Sequence, residues 1–369
     1  MSEIARASDD KRVSDVTVAI PVRNGGELLR GTLAALARQT VAHELLICDS
    51  GSRDGSVDLA RAHGARVIEI DPHEFSHGGT RNLLMRESGG THVALLTQDA
   101  EPADECWLER LLAGFALADD VALVCGPYRP RPDASLAVSA ELERWFASLS
   151  PDGTASVERL SDGERALPPV AFVGRRGFFT DANACVARAA WEQVPFREAA
   201  YAEDRALAID MLRAGYAKVF TADAAVVHSH EYTPMQELRR CFDEWRGLRE
   251  VYGWREPADP RALVRRLRGE LTTARTAATE RGLHGSERRA TLLRASRHHV
   301  VRLMGALLGS RADRLPPSVR RVLSLERRAS FAPLDFDAAS VQRGVRTSAP
   351  ASVLPSTEHE SSGEADQSG

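Results

Sequence analysis

Several features that mark large classes of protein are missing from this sequence. No stretch approaches the ~20 apolar residues that a membrane-crossing helix needs. The opening MSEIARASDDKRVSD is polar and lacks the apolar centre of an export signal. Both absences lead us to expect a cytoplasmic protein. The five cysteines (Cys48, Cys106, Cys125, Cys185 and Cys241) have no metal-type pairing. An odd number at wide spacing in apolar contexts reads as reduced core thiols in a reducing compartment. There is no internal repeat. The Gly-x-Gly-x-x-Gly fingerprint of dinucleotide-binding folds is absent from the end of the first strand, which counts against an oxidoreductase.

What is present describes an ordinary globular chain of 369 residues, 43% hydrophobic and 27% charged. The net charge of −4 hides an asymmetry. From Arg261 to Arg328 there are about 17 Arg, no Lys and about 5 acids, roughly +12, so the remainder is near −16. The first 14 residues are a polar lead-in. Short apolar runs then alternate with amphipathic segments. Strands are expected at Val16–Pro21, Glu44–Cys48, Arg66–Ile70, His92–Leu96 and Val121–Cys125, with helices between them. That alternation predicts a mostly parallel sheet covered on both faces. Ser150–Pro169 reads as a mobile loop, Asp204–Ala214 and Met235–Tyr252 as helices, residues 256–330 as an Arg-rich helical region, and residues 331–369 as a largely disordered tail.

Two motifs lie where ligands bind in open α/β sheets, at the carboxyl ends of strands. Ile20-Pro21-Val22-Arg23-Asn24 ends the first strand; by itself it reads equally as a strand-end turn. Asp49-Ser50-Gly51-Ser52-Arg53-Asp54-Gly55 ends the second. Its leading acid suits a ribose or uracil-like edge, although Asp54 also suits a plain helix cap.

Together, IPVRNGG and DSGSRDG resemble the family 2 glycosyltransferases of the A-type fold, over roughly residues 15–255. The resemblance implies a Rossmann-like, mostly parallel sheet and a nucleotide pocket lined by Pro21, Arg23, Asp49 and Ser52. Phe75-Ser76-His77-Gly78-Gly79-Thr80-Arg81-Asn82 offers glycines for close backbone approach, helix-start N–H groups for a phosphate and Arg81 to neutralise charge. HGGTRN is similar to the version found in rhamnosyltransferases.

The family holds a divalent cation, Mg²⁺ or Mn²⁺, with an Asp-x-Asp motif after the fourth strand. Here the segment is Thr97-Gln98-Asp99-Ala100-Glu101. Asp99 matches the second acid, Thr97 replaces the first, and Glu101 is a candidate to compensate. Gln98 is expected beside the nucleotide sugar. Inverting transfer needs a general base, and the family's base is the Asp of an Glu-Asp pair. That role falls on Asp204, with Glu203 and Asn183 expected on the acceptor side. A His about two dozen residues past the base completes the metal site in related enzymes, which implies His228, ahead of His230. Backbone-bonded strand-end histidines are the alternative.

The Arg-rich helices, with Leu and Val clusters between the arginines, read either as a solvated face or as attachment to an anionic membrane surface. No nucleic-acid motif accompanies the charge. The expected function is therefore inverting transfer of a hexose, with rhamnose the best match. The donor is a nucleoside-diphosphate sugar, and the acceptor is a saccharide or lipid-linked. The setting is polysaccharide or glycolipid synthesis, in the cytoplasm or at the inner membrane face. A nucleotidyltransferase and a non-catalytic scaffold are the alternatives. The first lacks its usual Lys-bearing first loop, and only Thr97 speaks for the second.

Overall fold

The structure is a computed structural model that describes residues 15–197, 199 and 201–325. The expected lead-in, the tail and the last five residues of the Arg-rich region lie outside the described residues. In chain order the strands are β1 (Val16–Val22), β2 (Glu44–Asp49), β3 (Arg66–Glu69), β4 (His92–Leu96), β5 (Glu101–Pro102), β6 (Val121–Cys125), β7 (Tyr128–Arg129), β8 (Ser156–Glu158), β9 (Asn183–Ala187), β10 (Ala217–Phe220) and β11 (Val226–Val227). The helices are α1 (Gly26–Leu36), α2 (Ser56–Ala62), α3 (His77–Glu87), α4 (Trp107–Ala113), α5 (Leu136–Leu149), α6 (Asp162–Arg165), α7 (Arg188–Trp191), α8 (Glu203–Arg213), α9 (Pro234–Tyr252), α10 (Pro260–Glu280), α11 (Gly285–Gly309) and α12 (Pro317–Leu323).

An eight-stranded sheet runs β3-β2-β1-β4-β9-β6-β10-β8. β3, β2, β1 and β4 are mutually parallel, as are β6 and β10, while β9 runs against both of its neighbours and β8 against β10. The near-continuous apolar β1 sequence is explained by burial on both faces. Ala19 faces a core with Leu84 and Met85 of α3 and Leu207 and Met211 of α8. Val18 and Ile20 face a second core with Leu29 and Leu33 of α1 and Trp107 of α4. A small sheet, β5-β11-β7, closes the carboxyl end. The expected loop at 150–169 instead carries β8 and α6. Val157 pairs with Val219, so this segment forms the sheet edge.

The Arg-rich region folds back as helices. α11 packs along α9, and α10 packs against α5 and α11. The α9–α11 contact depends on glycine. A Cβ at Gly309 would lie 2.3 Å from the Phe242 carbonyl oxygen, and one at Gly305 2.8 Å from the Cys241 Cβ. Thr233 and Gln236 form a capping box ahead of α9, with Pro234 in its first turn, which fixes where the chain leaves the small sheet. The five cysteines are free, and all but Cys106 are buried. No helix among the described residues is long and apolar enough to cross a membrane.

Candidate active site

The chain order reverses at β1, between β2 and β4, which opens a crevice at the carboxyl ends of the parallel strands. One side chain spans it. The Arg23 N–H donates to Gln98 Oε1 at 2.8 Å, and Gln98 Nε2 donates back to the Arg23 carbonyl at 3.3 Å. Gln98 therefore latches the loop after β1 to the loop after β4. The first two motifs are also stitched together. The N–H groups of Asn24, Gly25 and Gly26 donate to Ser52 Oγ, Ser56 Oγ and Asp54 Oδ2 at 2.8–3.0 Å. Asp49 is buried. Its Oδ1 accepts from the N–H groups of Gly51 and Ser52 at 2.9 Å, while Oδ2 has no partner among the described residues. Pro21 is half-buried above β2, and the Arg23 side chain is exposed.

Past β4, the Asp99 carboxylate meets two imidazoles. Oδ1 lies 3.6 Å from His228 Nδ1 and Oδ2 lies 3.3 Å from His230 Nε2. A donor atom from each of the three falls within 4.8 Å of the others. The group sits where β5 and β11 pair, and the Asp99 carbonyl accepts from Arg131, whose own N–H donates to Ser229 Oγ at 3.0 Å. Burial would push the Asp99 carboxyl up, but the two imidazoles outweigh it and hold the group below its ordinary range. Burial depresses His228 despite Asp99, which favours the neutral, ligating form. Glu101 is not in the group. A Cβ at Gly31 would lie 3.0 Å from Glu101 Oε2, so that carboxylate faces α1. It is His230, not Glu101, that the structure brings together with Asp99 and His228. The i, i+2 spacing in an extended segment puts both histidines on one side, and that signal was available in the sequence.

A second cluster gathers acids. Ala202, ahead of α8, adopts φ +62° in the left-handed region, an uncommon conformation for a residue with a Cβ. It sets Glu203 and Asp204 in the first turn of α8. Burial pushes Glu203 up to about 8, with repulsion from Asp181 and Asp204 adding to it and His77 opposing. Burial and then Asp181 push Asp204 up to about 6, opposed by Arg205 and by the Arg205 N–H, which donates to Asp204 Oδ1 at 2.7 Å. Tyr128 joins the two clusters: its ring meets His228 edge-on at 4.9 Å, and its hydroxyl hydrogen-bonds to Thr180, the neighbour of Asp181.

Three expectations need correction. Arg81 does not stand open to a phosphate. It is 4% exposed, with Nε donating to Asp181 Oδ2 at 2.7 Å and Nη1 to the Leu96 carbonyl at 3.1 Å. The N–H groups of Gly79 and Thr80 are used by Ser76, so HGGTRN does not form an open phosphate cradle. It builds the acid cluster instead. His77 Nδ1 lies 3.8 Å from Glu203, Arg81 holds Asp181, and Asn82 bonds the backbone of Phe196. Asn183 is fully buried. It accepts from Trp107 Nε1 at 2.8 Å and donates to the carbonyls of Pro127 and Ala224, which leaves nothing for an acceptor. In that stretch it is Asp181 that reaches the site. Asp181 lies in the turn just before β9, and Asn183 is the first residue of that strand.

Residues 17–162 match the family model for glycosyl transferase family 2. The chain is 35% identical over 234 residues to the O-antigen chain rhamnosyltransferase RfbN of Salmonella typhimurium, covering 62% of this chain and 70% of that one. It is 34% identical over 233 residues to the O-antigen chain rhamnosyltransferase WbaN of Salmonella anatum, with the same shares covered. Among solved structures it is similar to the mannosyltransferase PcManGT from Pyrobaculum calidifontis, in complex with GDP-Man and Mn²⁺. That likeness has a TM-score of 0.51 at 18% identity, over 82% of this chain and 89% of that one. Fold and site thus define a GT-A glycosyltransferase. The chain belongs to glycosyltransferase family 2, and the nucleotidyltransferase and scaffold alternatives fall away.

Proposed function

We propose that this enzyme transfers rhamnose, with inversion, from a nucleoside-diphosphate donor to a saccharide or lipid-linked acceptor in surface-polysaccharide synthesis. The sugar is supported by the HGGTRN motif and by the two relatives named as O-antigen chain rhamnosyltransferases. The transferase unit is residues 15–255, with the helical region from 256 packed on it.

The observation that carries the mechanism is the pairing of an Asp-His-His group with a second, acid-rich cluster across Tyr128. Asp99, His228 and His230 fit a divalent cation in donor type and mutual reach. One carboxylate and two imidazoles suit Mn²⁺ better than Mg²⁺, which prefers oxygen. Bound there, such a cation would neutralise charge on the diphosphate leaving group. The donor's nucleoside lies against Pro21, Arg23, Asp49 and Ser52, with Asp49 Oδ2 as an unused acceptor for a base N–H. Gln98 positions the Arg23 loop over it. Asp204, tuned near 6, is ionised at neutral pH yet still basic enough to take the acceptor hydroxyl's proton. Glu203, held protonated by burial, donates a hydrogen bond on the acceptor side. Arg81 orients Asp181 and limits the negative charge beneath Asp204.

Peripheral attachment to an anionic membrane is supported by exposed Leu293, Val300 and Met304 on α11, set among arginines. A cytoplasmic location accords with this.

A screen of purified nucleotide sugars, read as nucleoside diphosphate release and as the anomeric configuration of the product, tests the reading. Turnover of the rhamnose donor with inverted configuration is expected. Release from other donors only, or retained configuration, would overturn it.

A further inference from the structure

We infer that the chain carries a second divalent-cation site, separate from the Asp-His-His group, in which Glu141 of α5 and His298 and His299 of α11 bind zinc. A donor atom from each of the three falls within 4.8 Å of the others. Small side-chain adjustments bring all three to the ~2.0–2.2 Å that Zn²⁺ requires. Two imidazoles and one carboxylate are a donor set that zinc favours, with its fourth position left to water.

His299 is the side chain that points to an ion. It is 9% exposed, and its ring makes no hydrogen bond among the described residues. Burial, and then the neighbouring His298, depress it, so it is a neutral imidazole with an unused lone pair. Burial would push the Glu141 carboxyl up, but Arg302 and then His298 outweigh it and hold the group down to about 2. Its two oxygens are divided. Oε1 lies 3.2 Å from Arg302 Nε, and Oε2 lies 3.1 Å from His298 Nε2. An ion bound at Oε2 and Nε2 replaces the proton between them, which moves to His298 Nδ1. That atom faces Glu237 Oε1 at 4.0 Å, the kind of carboxylate that stands behind a ligating histidine. The local charge also favours a cation. Arg302 alone serves Glu141, Glu237 and Glu244 at 2.9–3.8 Å, one guanidinium against three carboxylates. His298 lines an open cavity of about 440 Å³, which gives the ion a way in. Bound there, zinc pins α11, and with it the Arg-rich region, to α5.

The test needs no turnover and does not depend on the transferase reading. Zn²⁺ is titrated calorimetrically into the full chain, stripped with EDTA and dialysed, carrying His230→Ala so that the Asp-His-His group has lost a ligand. One saturable equivalent of Zn²⁺ is expected. Adding His299→Gln, or Glu141→Gln, to the same chain should weaken that binding by ~10-fold or more. The melting temperature of His230→Ala should rise with Zn²⁺ by ~2 °C or more, because an ion held only by the folded chain stabilises it. That rise should vanish in His230→Ala/His299→Gln. No saturable binding to His230→Ala overturns the proposal. Equal affinity with and without His299→Gln and Glu141→Gln also overturns it, since the ion then sits elsewhere. If the double variants fail to fold, the melting temperature of His230→Ala still decides: no rise with Zn²⁺ overturns the site.

Discussion

Arg81 and Asp181 lie 100 residues apart in sequence and form a buried ion pair at 2.7 Å, which joins α3 to the turn just before β9, beside the proposed base. The pair sets the charge of the site. Asp181 raises both Glu203 and Asp204, while Arg81 lowers both. Replacing Arg81 with Met leaves Asp181 buried and uncompensated. The expected cost is about 3–5 kcal/mol of stability, read from denaturant unfolding. Any activity that remains should have its acidic limb moved to higher pH. Wild-type stability in Arg81→Met would show that the pair is not structural.

The cation prediction follows from Asp99, His228 and His230. EDTA should abolish transfer, and Mn²⁺ should restore it more fully than Mg²⁺. His230→Ala should weaken Mn²⁺ binding by ~10-fold or more, measured by calorimetry on the folded protein. Full activity in chelator would remove the cation from the account.

Asn183 gives a contrasting expectation. Its amide satisfies Trp107, Pro127 and Ala224 in the core. Asn183→Ala should cost about 1–3 kcal/mol for the polar groups left unpaired, with the acceptor KM of the remaining folded enzyme unchanged. A raised acceptor KM at unchanged stability would return Asn183 to the acceptor side.

Much of this was legible in the sequence. Strands β1, β2, β4 and β6 follow from apolar runs, because largely buried strands leave a near-continuous signal, as in VTVAIPV. IPVRN and DSGSRD mark a crevice because a turn that must also bond its neighbour across the sheet needs Asn, Ser and Asp at set places. β8 was not legible: three half-buried residues at a sheet edge have little apolar signature. Arg81 was misjudged because its partner, Asp181, is distant in sequence, and an arginine beside glycines looks the same whether it faces a phosphate or a carboxylate. Asn183 was misjudged because burial of a polar residue is decided by three elements that meet only in the fold.

Glu203 links pH to stability. Its carboxyl is pushed up to about 8 in the folded chain, above its unfolded value. The protonated form therefore contributes stability that is fully present below the unfolded value and lost as pH rises through about 8. Glu203→Gln removes that loss. The variant should be more stable than wild type at pH 9, by about 1 kcal/mol or more, and the gap should close towards pH 4. Thermal unfolding at both pH values checks this, and a pH-independent difference would contradict the buried, protonated assignment.

The central claim is that Asp204 takes the acceptor's proton, and the pH dependence of kcat/KM for wild type and Asp204→Asn tests it most directly. Because the base must be ionised, wild-type kcat/KM should rise with pH through about 6. Asp204→Asn should lower kcat by ~10²-fold or more and lose that limb, while nucleoside diphosphate still binds with wild-type affinity. Near-full turnover in Asp204→Asn, or an unchanged limb near 6, would contradict the account.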